Sequence, residues 1–289
     1  MISKMLSLPE DVSRTASFQY IKHNPLHELE KPYRLNKFTP PDGLAMTNIE
    51  FETHSDVGLT DLRGYEDSLD LERDAFKFIN YPSAVEPENI GESLQTYCEE
   101  SIQLIKDQLN PDRVICYEVL YRHAEAKTAE SKNKNSAPIT MVHIDHTTEG
   151  GKFRIKHHLT NEEISEYDNG SWRWRIVNIW RPLCPVVQTF PLAFLDPKTV
   201  ANPDVVDTDQ VGPHYSGEIS YLKHSKDHRW YWLSNQTTDE VITFVCFDTH
   251  PPSSALNCAP HASFVIQDAP EDAIPRESIE LRFIVITKL

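Results

Sequence analysis

The sequence is short of positive charge. Lys plus Arg number 28 against 44 Asp plus Glu, a formal net charge of −16 over 289 residues. Nucleic acids and anionic membranes are both bound through basic surfaces, so neither is an expected partner. Glycine is scarce, nine residues against twenty prolines, and neither G-x-G-x-x-G nor G-x-x-x-x-G-K-[S/T] occurs. Without such phosphate loops the nucleotide folds lose their main sequence support. No run of 18 apolar residues exists, so no membrane-spanning helix is expected. The opening MISKMLSLPEDV is too weakly apolar for a secretory leader and meets proline and acids too soon. The five cysteines, at 98, 116, 184, 246 and 258, are odd in number, widely spaced and free of any C-x-x-C. They read as reduced thiols of a cytoplasmic protein.

What is present is an ordinary globular composition, 39% apolar and 25% charged, long enough for a sizeable core without staples. Residues 1–60 are polar and punctuated by proline, as in an arm that packs on a body, and a helix is expected around DLERDAFKFIN (70–80). The clearest helix spans 92–109: Leu94, Cys98, Ile102, Ile105 and Leu109 recur at steps of three or four on one face, and Pro111 stops it. From 113 the period changes to two. RVICYEVLYR, PITMVHIDHT, SWRWRIVNIW, WYWLSN, EVITFVCFD and ESIELRFIVIT are rich in β-branched and aromatic residues and bounded by turn formers. The class is mainly β with supporting helices, a β-sandwich or jelly roll. The division expected is 1–90 as N-terminal arm and helical support, and 91–289 as the main domain. The polar stretch at 127–136 reads as a surface loop or a lid over a site.

Thirteen histidines invite a search for the two-His, one-carboxylate facial triad that holds Fe(II) with positions left open. Its local half is His-x-Asp or His-x-Glu on a strand, where residues two apart share a face. With 13 His and 44 acids, chance gives about two such pairs in 289 residues; three occur, His54/Asp56, His123/Glu125 and His143/Asp145. Counting decides nothing, but context does. Glu50 and Glu52 precede His54 on its face, which cannot line an apolar interior. His123 follows Tyr117, Val119 and Tyr121 but leads straight into the charged loop, as a rim position. Ile139 and Met141 precede His143, an apolar face ending in His and Asp. The HxHxDH pattern of zinc hydrolases fails because residue 141 is Met. The remote ligand is best placed at His261 in CAPHASF, with His228 and His250 as alternatives. Arg276, opening the last strong strand, suits bidentate pairing with a carboxylate cosubstrate.

The ordered motifs HIDHT (143–147), NIWRPL (178–183), PLAFLD (191–196), HRWYW (228–232), DEVITFVCFD (239–248), PHASF (260–264) and PRESIELR (275–282) resemble a mostly fungal family of iron and 2-oxoglutarate-dependent oxygenases. It includes gibberellin desaturase-like and aspergillic-acid hydroxylase-like proteins and relatives of a cephamycin methoxylation subunit. The likeness covers about residues 110–289. It implies a double-stranded β-helix, that is, a cupin-like jelly roll. It implies His143, Asp145 and His261 as iron ligands and Arg276 on the oxoglutarate carboxylate, with Arg282 ranked second. Asn178 and Arg181 belong to the family string, at cosubstrate or substrate, or with Arg181 holding Asp196.

The resemblance therefore implies an oxidoreductase using Fe(II), 2-oxoglutarate and O2 to oxidise a C–H bond of a small molecule by hydroxylation, desaturation or cyclisation, in secondary metabolism. A monomer or homodimer is expected. Trp180, Trp230, Tyr231 and Trp232 read mostly as strand core, with a pocket lining as the other role. Two rival readings use the same jelly roll: a cupin-like metal dioxygenase without oxoglutarate, and a non-catalytic partner subunit.

Overall fold

The computed structural model describes residues 8–36, 40, 42–85, 90–124, 137–213, 215–251, 256 and 258–289. The loop expected at 127–136 lies outside them. Two facing sheets make the body. The first, of nine strands, contains β1 (Arg14–Ile21), β2 (Tyr33–Leu35), β3 (Phe51–Asp61), β6 (His143–Ile144), β8 (Leu192–Leu195), β9 (Val205–Val211), β10 (Ser216–Leu222), β11 (Trp230–Trp232) and β13 (His261–Ser263), in the order β1-β3-β11-β8-β13-β6-β10-β9-β2. The second contains β4 (Phe76–Asn80), β5 (Arg113–His123), β7 (Trp172–Pro182), β12 (Glu240–Asp248) and β14 (Glu277–Lys288), in the order β4-β12-β7-β14-β5. The fold is a jelly roll, mainly β with few helices. No described helix is long and apolar enough to cross a membrane.

The sheets meet through aromatic contacts. Phe194 of β8 stacks on Phe76 of β4 with centroids 5.0 Å apart and meets Phe244 of β12 at 5.2 Å. Around them Ile176, Ile179, Val241, Ile242, Leu281 and Phe283 are fully or almost fully buried. Strand β7 is central in its sheet, which is why nine of its residues, Trp174 to Pro182, are buried in one unbroken run. Burial on both faces replaces strict alternation with a largely apolar run, and the polar Arg175, Asn178 and Arg181 within it each have hydrogen-bond partners. A second core joins Phe18, Trp230 and Phe264 of the large sheet, with Phe18 stacked on Trp230 at 4.4 Å.

The helix read at 92–109 is found as α2 (Ile90–Leu109), which packs Tyr97, Leu104 and Ile105 into the main core. The helix expected at 70–80 is not formed over that span. Only α1 (Leu71–Asp74) is helical, capped by the Asp70 side chain. Ala75 then takes a left-handed conformation (φ 64°), which ends the helix. Phe76–Asn80 pairs instead with β12, burying Phe76 and Phe78. The aromatic alternation Phe-Lys-Phe overrode helix propensity there. Residues 14–61 supply β1, β2 and β3, so this stretch is woven into the large sheet. PITMVHIDHT keeps only the two-residue β6 as strand, followed by α3 (Thr148–His158) and α4 (Asn161–Tyr167).

Candidate active site

Strands β6 and β13 are adjacent, and His143 and His261 are paired in register across them. Their rings lie 4.4 Å apart, centroid to centroid. Asp145 follows β6 by one residue, with a carboxylate oxygen 3.5 Å from His143 Nε2. The ligand atoms of His143, Asp145 and His261 lie within 4.8 Å of one another, and all three residues are buried. Each imidazole is fixed through its other nitrogen: His143 Nδ1 is 2.8 Å from the Met141 carbonyl and His261 Nδ1 is 3.0 Å from that of Ala259. A carbonyl only accepts, so Nδ1 carries the proton and each Nε2 offers its lone pair to the shared space.

The facing sheet sets the charge. Asn178 of β7 donates to Asp145 at 2.8 Å and to Glu280 at 3.1 Å. Arg282 of β14 lies 3.4 Å from Asp145, donates to Glu280 at 2.7 Å and reaches Glu118 at 3.4 Å. The Cys246 thiol donates to Asp145 at 3.4 Å. β12 carries an irregularity in its register with β7 at Cys246, and β5 carries one in its register with β14 at Tyr117. Such bulges re-aim side chains next to a site. Burial works against the Asp145 anion, but the Arg282 guanidinium beside it outweighs that and holds the carboxyl well below its ordinary range. Burial, with His143 beside it, brings His261 down to about 4. The site is thus two imidazoles and one carboxylate around one space, the donor chemistry of a non-haem divalent metal with positions left open.

Arg276 lines the same narrow cavity as the triad, with Trp180 and Glu280. It is fully buried, donates one bond to the Phe190 carbonyl at 3.1 Å, and lies over the Trp180 ring at 5.5 Å. Its Nε and Nη2 have no partner among the described residues. Burial and the nearness of Arg122 pull its pKa down, and the more distant charge of Glu280 does not offset them. Arg175 is equally buried but has Glu72 and Thr287 to bond with. An uncompensated buried guanidinium costs several kcal/mol, so it is retained where an anion binds. That orphaned cation beside the triad fits the carboxylate of an oxoacid.

The other predicted residues sort cleanly. Arg181 is not brought to the site and does not hold Asp196. It points to the opposite face of β7 from Asn178, bonding Tyr97 at 3.1 Å, the Tyr81 carbonyl at 2.7 Å and the Thr238 carbonyl. Strand alternation puts residues three apart on opposite faces. His228 faces Asp204 at 3.3 Å, and His250 is exposed beside Thr249, both away from the triad. His54 pairs with Glu52 at 3.0 Å and His123 with Glu277 at 2.9 Å, as surface contacts. Trp180 lines the cavity, while Trp230 belongs to the second core. Sequence reasoning missed Glu280, His146, Tyr117 and Arg154. Burial lowers His146 to about 3, and its Nε2 is 3.4 Å from the Tyr117 hydroxyl.

A jelly roll with two histidines and a carboxylate on adjoining strands is the architecture of mononuclear non-haem metal enzymes. Residues 18–286 match the family described as Oxidoreductase/YMDC permease-like domain, and the chain belongs to that family. Hydroxylase/desaturase efuI of Hormonema carpetanum is 29% identical over 263 residues, covering 84% of this chain and 86% of that protein. Fe(II)/2-oxoglutarate-dependent dioxygenase nvfI of Aspergillus novofumigatus is 29% identical over 264 residues, covering 86% and 89%. Alpha-ketoglutarate-dependent dioxygenase tstK of Talaromyces stipitatus is also 29% identical, covering 86% and 92%. The solved structure of the iron and alpha-ketoglutarate-dependent endoperoxidase NvfI superposes with a TM-score of 0.78 at 26% identity, over 96% of this chain and 98% of that one.

Proposed function

We propose that this chain, a non-haem iron dioxygenase of the 2-oxoglutarate-dependent class, oxidises an unactivated C–H bond of a small molecule in fungal-type secondary metabolism. Hydroxylation, desaturation and oxidative cyclisation all begin from the same hydrogen abstraction. One observation carries the reading: Arg276, with its Nε and Nη2 unpartnered among the described residues, and the His143–Asp145–His261 donor set line one cavity. Residues 91–289 carry the chemistry, and residues 1–90 support the sheet edges. The protein acts in the cytoplasm as a monomer or homodimer, near the gibberellin desaturase-like branch.

Bound together, Fe(II) and 2-oxoglutarate supply the oxidising power of O2 for C–H cleavage, with loss of CO2 from the oxoacid. The chain does the rest. His143 and His261 ligate through Nε2, and their Nδ1 protons stay on backbone carbonyls. Asp145 ligates as the anion that Arg282 maintains. Asn178 and Arg282 orient that carboxylate rather than the cosubstrate, because both are already engaged by Asp145 and Glu280. Arg276 takes the far carboxylate of 2-oxoglutarate on its free N–H groups. Trp180 and Leu192 wall the cavity and keep water out, and Phe244 packs against the His261 ring at 4.9 Å.

The test is anaerobic. Fe(II) and 2-oxoglutarate added to the purified protein should together give a weak visible charge-transfer band that neither gives alone, and His143→Ala should lack it. Iron bound with no band would favour a cupin-like enzyme without oxoglutarate. No iron bound would overturn the reading.

A further inference from the structure

A second cavity, of about 420 Å3, opens on the other side of the triad and shares His143, Asp145 and Arg282 with the narrow one. That volume suits a small organic ligand. Ile139 and Ile219 give it apolar wall. Most of its charge is already spoken for: Arg282 holds Asp145, Glu280 and Glu118, and Glu218 holds Lys31 and Thr147. Arg154 of α3 is the exception. Its guanidinium carbon lies 3.9 Å from the Tyr215 ring centroid and 5.8 Å from that of Tyr117. Its Nε is buried without a partner, and among the described residues it forms no ion pair. Glu118, whose charge reaches Tyr215, is the acid that Arg282 engages.

The position of Arg154 is built rather than incidental. Thr147 caps α3 two residues after Asp145, accepting from the Gly150 amide and donating to Glu218 at 2.6 Å. Gly151 lets the helix lie directly on β12, since a Cβ there would meet the Phe247 ring at 2.3 Å. Gly217 leaves room for the Tyr215 ring, which a Cβ would meet at 2.8 Å. A guanidinium stacked flat on an aromatic ring keeps its edge N–H donors free, in the fork that matches a carboxylate.

We propose that this outer cavity binds an organic acid, an apolar small molecule whose carboxylate pairs with Arg154 while the C–H bond to be oxidised lies toward the triad. The proposal rests on the oxygenase reading for its chemistry, but its test does not. Protein loaded with Mn(II) and 2-oxoglutarate, which fill the inner site without turnover, is titrated by ligand-observed NMR. The probes are matched pairs of apolar carboxylic acids and their primary carboxamides. Acids should bind at least about tenfold tighter than their amides, as a charge-assisted bidentate pair predicts. Arg154→Gln should erase that ratio by weakening the acids alone, and Arg154→Lys should restore part of it. A wild-type ratio near one, acids that do not bind at all, or a ratio unchanged in Arg154→Gln would overturn the proposal; the wild-type ratio decides even if that variant fails to fold. The anaerobic Fe(II)–oxoglutarate band is recorded on the same preparations. A band with a ratio near one overturns the acid site and leaves the oxygenase reading. No band, with acid preference lost in Arg154→Gln, overturns the reading and leaves the acid site.

Discussion

Two arginines flank the triad, and they are held in opposite ways. Arg276 is fully buried, forms no ion pair among the described residues and leaves two donor groups unpartnered. Arg154 is half-buried, with its charge spread on the Tyr215 ring. The first arrangement is costly unless an anion arrives, because desolvating a lone charge costs several kcal/mol. The second costs little, because a stacked, partly hydrated guanidinium retains water and gains about 0.5–2 kcal/mol from the ring. The contrast teaches how one site serves two ligands. An obligatory cosubstrate meets a cation that only it satisfies, and a variable substrate meets one that tolerates waiting.

The largest effect expected falls on neither arginine. Asp145→Ala or His261→Ala should reduce bound iron from about one ion per chain to a small fraction, measured by elemental analysis, because a facial site has only three protein donors. Arg276 and Arg154 variants should keep their iron. Iron lost from the arginine variants would break the division between metal and ligand roles.

Acid acts on both sides of the triad. His261 sits near 4 and His146 near 3 in the fold, both lowered by burial. Unfolded, each takes a proton near its ordinary 6.5, so the unfolded state gains protons first. Stability is therefore full above about pH 6.5 and falls as pH drops toward 4, by on the order of 3 kcal/mol for His261 alone. Asp145 adds its loss only at lower pH, because its shift is downward from the carboxylate range. Denaturant melts of metal-free protein between pH 7 and 4 measure this, and a flat profile would contradict the buried neutral imidazoles.

Arg276→Met sharpens the contrast further. Removing an uncompensated buried cation should stabilise the ligand-free protein by about 1–3 kcal/mol. It should also abolish the gain that saturating 2-oxoglutarate gives the wild type, about 2.7 kcal/mol at a hundredfold excess over Kd. Thermal melts with and without 2-oxoglutarate read both signs. Gly151→Ala should cost about 1–3 kcal/mol from overpacking against Phe247, with α3 displaced. Acid-probe affinity should fall in that variant while 2-oxoglutarate affinity holds.

The inner side was far more legible in the sequence than the outer. His143 and Asp145 stand out because an apolar strand face ends in them, and Arg276 because it opens an uninterrupted strand. Arg154 lies in KFRIKHH, a stretch that reads as a solvated helix face; only the fold places it over Tyr215, 61 positions away. Asn178, Glu280 and Arg282 form one network because β7 and β14 pair in register with Arg282 opposite Asn178. Pairing of that kind is a long-range property no local window carries. Residues 70–80 were misread for the same reason: Phe76 and Phe78 find partners in β12 and Phe194, which local propensity cannot see.

The central claim is that the two cations have separate ligands. The most direct measurement is an anaerobic titration of 2-oxoglutarate into the Fe(II) protein, followed by its charge-transfer band, in wild type, Arg276→Gln and Arg154→Gln. The account predicts affinity about a hundredfold weaker in Arg276→Gln, the loss of one partner of a buried charge pair, and wild-type affinity within about threefold in Arg154→Gln. Wild-type affinity in Arg276→Gln, or the larger loss in Arg154→Gln, would contradict it.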